Sequence, residues 1–109
     1  LHYDGPLAVV VDARSFSSAD FTPMWVQATG RGVLVGAPTG GGFGNGSTGA
    51  GLPAGYLVGV NDILCEDLDG NLLEGSPPAV DVALTLARED VRAGVDTLLE
   101  AAAAAVLPD

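Results

Sequence analysis

The residues most able to do chemistry are Phe16-Ser17-Ser18-Ala19-Asp20, which follow the apolar run Leu7-Ala8-Val9-Val10-Val11 and its closing Asp12. A serine at the first positions of a helix that leaves a buried strand sits where backbone N–H groups converge and favour developing negative charge. Ser17 is therefore a candidate nucleophile. The competing reading is that Ser17 and Ser18 merely cap the helix, the usual task of serine at such a place. His2 is the only histidine, and its position ahead of the first strand makes it a surface residue rather than a base. Glu74, beside a turn, reads by itself as a solvated carboxylate.

Positioning Ser17 requires a strand before it and a helix after it. Leu7 to Val11 is continuous and β-branched, the pattern of a strand buried on both faces. Ser17-Ser18-Ala19-Asp20 has capping-box spacing, a hydroxyl followed three residues later by an acid. Phe21, Met24, Trp25 and Ala28 then recur at helical intervals, with Phe21 and Trp25 read as core, and Gly30 supplies a left-handed stop. Pro23 fits best if Asp20 is the effective cap, because a proline one turn into a helix removes a backbone bond. Gly32 to Gly36 is a second strand, so a right-handed βαβ unit with parallel strands is expected.

Between Gly36 and Gly55 the glycines are too dense for regular structure and imply a loop or a backbone that passes close to a ligand. Tyr56 to Val60 and Asp62 to Cys65 read as strands, and Asp69-Gly70-Asn71 as the turn of a small antiparallel hairpin leading into Leu72-Leu73. Ser76-Pro77-Pro78 breaks the chain before an edge strand within Val80 to Leu86. Arg88 to Ala93 forms a helical turn ended by Gly94. Asp96 caps a last helix whose apolar face is Leu98, Leu99, Ala102, Ala103 and Val106.

Composition narrows the function classes. The 109 residues are 48% hydrophobic and 17% charged, which fits one domain or a piece of one. A net charge of -10 offers no footprint for nucleic acid or an anionic membrane. One cysteine, Cys65, excludes an internal disulfide, and one histidine leaves no Cys/His cluster for zinc. No apolar run approaches the roughly 18 residues of a membrane span. The opening on Leu1 and His2 reads as a cut within a longer protein, with residues 1–109 a single partial domain. Asp67 to Asn71 with Glu74 is explained by the hairpin turn rather than by calcium. Asn45-Gly46-Ser47 is a glycosylation sequon by pattern, and the glycine loop lacks the residues of a phosphate cradle.

Three blocks together carry a family resemblance. Pro6 to Asp12, then Phe16-Ser17-Ser18-Ala19-Asp20-Phe21, then Gly30-Arg31-Gly32-Val33-Leu34-Val35-Gly36-Ala37-Pro38-Thr39-Gly40-Gly41, resemble the core of the C-terminal processing, or tail-specific, serine peptidases. The stretch from Glu74-Gly75 to Asp81-Val82, then Gly94, Asp96, Leu99, Glu100 and Ala102, is similar to the C-terminal end of that peptidase domain. The resemblance implies an α/β fold, part of a Clp protease/crotonase-like superhelix with a parallel βαβ core, a small hairpin and a C-terminal helix. By position it implies Ser17 as nucleophile and the Ser18 amide as one oxyanion donor.

One branch of the family pairs its serine with a lysine after the strand-exit glycines. That place here is Gly42, the helix acid of that branch falls on Ala28, and these residues contain no lysine. A Ser-Lys dyad within them is excluded. The sequence is closer to the lysine-lacking branch that resembles the tricorn protease core and the interphotoreceptor retinoid-binding protein repeats. There the resemblance implies Glu74 as a triad or tetrad acid and a histidine from an upstream segment as base, although Ala79 replaces an expected acid after the proline. It implies hydrolysis of unstructured polypeptide ends through an acyl-enzyme, no metal or organic cofactor, and an exported location. A non-catalytic homologue binding a peptide or apolar ligand is the alternative. A crotonase-type acyl-CoA enzyme rests on fold analogy only.

Overall fold

The computed structural model describes residues 2–44, 46 and 48–107. In chain order the elements are β1 (Ala8–Val11), α1 (Ser18–Ala28), β2 (Val33–Gly36), β3 (Thr48–Gly51), β4 (Leu57–Val60), β5 (Val82–Ala83), α2 (Arg88–Ala93) and α3 (Thr97–Val106). The expected βαβ unit is present: β1 and β2 pair in parallel, from Ala8 opposite Val33 to Val11 opposite Gly36. β5 adds in parallel to the far side of β2, giving the order β1-β2-β5, so the segment after the prolines does form an edge strand. Asp81 fixes that junction by accepting the Leu34 N–H on its carboxylate at 2.7 Å while donating its own N–H to the Leu34 carbonyl at 2.9 Å.

Leu34 and Val35 point to opposite faces of the sheet and both are 0% exposed, so β2 is covered on both sides. The covering helices are α1 against β2 and α3 against β1 and β2. The rest of the core is Val11, Phe43, Leu73 and Ala102. Phe43 anchors the glycine loop by setting its ring edge-to-face against Phe21 at 5.1 Å.

Both ends of α1 are informative. Its C-terminus closes with Gly30 at φ 63°, Gly30 N–H on the Gln27 carbonyl and Arg31 N–H on the Val26 carbonyl, a Schellman stop. Its N-terminus lies at Ser17, so Asp20 is not the effective cap and Pro23 sits inside the helix. The helix tolerates it because Pro23 is buried and contributes packing where it removes a backbone bond. Asp96 caps α3 as expected, its carboxylate accepting the Leu99 N–H at 3.0 Å.

Other expectations are corrected. β1 is not buried on both faces, since Val10 is exposed, and Trp25 and Leu99 are likewise on the surface rather than in the core. The glycine-dense segment does contain a strand: β3 pairs antiparallel with β4, Thr48 opposite Val60 to Gly51 opposite Leu57. The small antiparallel hairpin is therefore β3–β4; Asp62 to Cys65 is not a strand, and around Asp69-Gly70-Asn71 the antiparallel pairing is reduced to one bridge, Glu66 to Leu72. That turn is held by the Asp67 carboxylate, which accepts N–H groups from Asp69 and Asn71. The sequon at Asn45-Gly46-Ser47 has two of its residues outside the described set.

Candidate functional site

Between β1 and α1 the chain makes a tight turn, with Ser15 N–H on the Asp12 carbonyl at 2.9 Å. Ser17 ends it at φ 59° and ψ -117°, outside the regions open to an ordinary L-residue. Its hydroxyl makes no capping hydrogen bond. The capping reading of Ser17 therefore fails on geometry, and a backbone conformation costing about 1–3 kcal/mol is held without that return. A strained strand-to-helix turn is a geometry that can present a serine hydroxyl to a substrate.

Just inside the helix, the Ser18 N–H donates to no described residue, whereas Ala19 donates to Phe16 and both Asp20 and Phe21 donate to Ser17. An unused amide at a helix start is a donor available to an anion. A cleft of about 360 Å³ opens beside it, lined by Val10, Ser15, Ser18 and Thr22 among others.

The glycine loop is fastened to this turn from three directions. Gly40 N–H donates to the Ser15 carbonyl at 2.9 Å, and the Ser17 N–H donates to the Gly42 carbonyl at 3.2 Å. Asp20, 0% exposed, accepts the Gly41 N–H at 2.9 Å and the Gly42 N–H at 3.1 Å. The spacing of Ser17 and Asp20 suggested a capping box, but the carboxylate turns to the loop and the Ser17 N–H is taken by Gly42. Phe16 covers the loop, and a Cβ at Gly40 or Gly42 would collide with its ring. At Gly42, where the lysine-using branch would carry its base, a side chain would have to displace the Phe16 ring.

Glu74 arrives at the same loop from the other side. Its carboxylate accepts the Gly44 N–H at 2.7 Å, and the next residue, Gly75, donates to the Gly41 carbonyl at 2.8 Å. Ser17, Ser18 and Glu74 are thus gathered around one loop, although no hydrogen bond joins Glu74 to Ser17 among the described residues. His2 is not in the group: it pairs with Asp4 at 2.7 Å with both side chains exposed. Asp67 has its carboxyl held below the usual range by the Asn71 side chain and neighbouring backbone N–H groups, and Asp12 has its own lowered by the Arg14 N–H and guanidinium. Asp12 belongs to the serine turn through its bonds with Ser15, but neither carboxylate is hydrogen-bonded to Ser17, Ser18 or the glycine loop among the described residues. Among the described residues no cluster of His, Cys, Asp or Glu could hold a metal ion.

Sequence reasoning read Asp20 as a helix cap and Phe16 as part of the serine motif, and missed the role of both at the glycine loop. The signal was present, an acid three residues after a serine and an aromatic just before it, but their target is a loop some twenty residues away.

Comparison with known proteins converges on one family. Residues 1–82 match the model described as peptidase family S41. Among solved structures, a candidate peptidase from Parabacteroides merdae superposes with a TM-score of 0.80 at 26% identity, over 94% of this chain and 32% of that one. The tricorn protease gives a TM-score of 0.78 at 23% identity, over 90% of this chain and 10% of that one. Mature CPAF complexed with lactacystin gives 0.74 at 23% identity, over 85% and 18%. The chain therefore spans about a third or less of each, and it shares their Clp protease/crotonase-like α/β architecture. No curated protein matches.

Proposed function

Because the chain belongs to peptidase family S41, we propose that residues 1–109 are one part of a peptidase domain and carry the nucleophile of a serine-type peptidase, which cleaves polypeptides through an acyl-enzyme on Ser17. The observation that carries this reading is the Ser17 backbone at φ 59° with a hydroxyl that does not cap the helix. The Ser18 amide supplies one donor to the oxyanion of the tetrahedral intermediate.

In the reaction, Ser17 Oγ attacks the substrate carbonyl and its proton passes to a base. Collapse of the intermediate expels the amine and leaves an ester on Ser17, which water then hydrolyses. The base is a histidine from elsewhere in the full-length protein, since His2 lies outside the gathered residues. Glu74 orients that base or its partners from its seat on Gly44. The substrate is an unstructured polypeptide end, gripped by main-chain pairing, and the protein acts outside the cytoplasm. A non-catalytic ligand-binding homologue is the competing reading, favoured by Gly42 and Ala28 at the places of the lysine and helix acid of the lysine-using branch and by Ala79 after the proline.

Fluorophosphonate labelling of the full-length protein separates the two. An adduct on Ser17, located by mass spectrometry and lost in Ser17→Ala, is the expected result. A folded protein that resists labelling, or an alanine variant labelled equally, removes the peptidase reading.

A further inference from the structure

Asp20 is a completely buried acid at the third position of α1, and among the described residues it has no cationic partner. Its negative charge is met instead by two backbone donors, the N–H groups of Gly41 and Gly42, and by the positive end of the helix in which it sits. A buried carboxylate without such compensation would be strongly unfavourable. The arrangement is closed on itself. Asp20 holds the Gly41 and Gly42 amides, the Gly42 carbonyl holds the Ser17 N–H, and the Ser17 carbonyl accepts the Asp20 N–H at 2.7 Å. A further bond, Gly75 N–H to the Gly41 carbonyl, ties the Glu74 segment to the same pair of glycines.

We infer that Asp20 is a positioning residue for Ser17: its two-acceptor hold on Gly41 and Gly42 fixes the Gly42 carbonyl, which in turn keeps Ser17 in its left-handed conformation with the hydroxyl turned away from the helix end. This rests on the reading of Ser17 as the residue acylated. Without the carboxylate, the Gly42 carbonyl is no longer held under the Ser17 N–H. Ser17 then relaxes to ordinary N-cap geometry, where its hydroxyl accepts a helix N–H and is withdrawn from attack. The requirement is for two acceptors, so charge-neutral Asn is not a substitute. One of its two terminal atoms is an NH2 group, which would face a backbone N–H donor to donor.

The test uses the full-length protein and three variants, Asp20→Asn, Asp20→Glu and Ser17→Ala, with fluorophosphonate acylation and hydrolysis of an unstructured peptide as readouts. Asp20→Asn should slow acylation of Ser17 and lower kcat by about 10- to 100-fold, the scale of a misplaced reacting group, while KM stays within about twofold. Asp20→Glu keeps both acceptors and should recover a large part of the loss. A folded Asp20→Asn protein acylated at the wild-type rate overturns the inference, as does equal impairment of the Asn and Glu variants. A wild-type protein with no adduct on Ser17 overturns the peptidase reading and the positioning role with it. Should Asp20→Asn fail to fold, amide hydrogen exchange of the wild-type protein decides. Slow exchange at both Gly41 and Gly42 supports the clamp, and exchange as fast as that of the unbonded Ser18 amide overturns it.

Discussion

A residue at φ 59° and ψ -117° that is not glycine is a local cost which the surroundings must hold in place. At Ser17 the side chain does nothing to offset it, because the hydroxyl makes no capping bond. Two substitutions in the full-length protein read these facts separately. Ser17→Ala should change unfolding free energy by less than about 0.5 kcal/mol, since a true capping serine would lose about 1 kcal/mol. Ser17→Gly should raise stability by about 1 kcal/mol, because glycine adopts positive φ without steric penalty. Chemical denaturation of the three proteins gives both numbers. A marked loss on Ser17→Ala would return the serine to the role of a cap and remove the main support for its chemistry. The capping-box spacing located the helix start correctly at Ser17 but not the bonds of a box, for a physical reason: spacing says which groups can meet within the helix, and Asp20 found two better donors outside it.

At the scale of elements, the turn, the glycine loop and Phe16 act as one packed unit. The Phe16 ring lies where a Cβ at Gly42 would be, so the loop can approach the turn only because that residue is glycine. Gly42→Ala should therefore destabilise the full-length protein by about 1–3 kcal/mol through overpacking. Removing the ring as well, in Phe16→Ala with Gly42→Ala, should restore part of the loss and show as coupling in a double-mutant cycle. Additive effects would mean that the ring and the loop do not meet. Elements set by local pattern were legible in the sequence: β1, β2, the Gly30 stop of α1 and the Asp96 cap of α3 all follow from nearby residues. β3 was not, because Thr48–Gly51 has almost no side chains to signal a strand and exists through its pairing with β4. Asp62 to Cys65 failed in the opposite sense. Its apolar content suits a strand, but among the described residues no partner strand stands beside it, and strand structure depends on that pairing.

For the whole molecule, the decisive quantity is the surface left uncovered. The radius of gyration is 17.6 Å, and the longest extent is 61 Å. A compact domain of about 100 residues has a radius near 13 Å. Val10 on β1, Leu57 and Val60 on β4, Leu64 and Leu68 before and within the Asp67 turn, and Val91 on α2 are all exposed. β1 pairs only with β2 among the described residues, so its other edge presents free backbone groups. Apolar surface gains roughly 25 cal/mol per Å² on burial, so this much of it, together with an open sheet edge, is a strong drive to pack against further protein. The comparison peptidase from Parabacteroides merdae provides a measure, because this chain covers only 32% of it. Expressed alone, residues 1–109 should bind a hydrophobic dye, unfold without a cooperative transition and leave peptides uncleaved, since Ser17 would be presented without its base. The full-length protein should unfold cooperatively with little dye binding and should cleave. Calorimetry, dye fluorescence and a peptide assay run on both samples check this together. An isolated chain that melts cooperatively as a monomer without binding dye would show that the core around Leu34 and Val35 suffices for folding. The exposed residues would then be an ordinary surface rather than a face awaiting the rest of the domain.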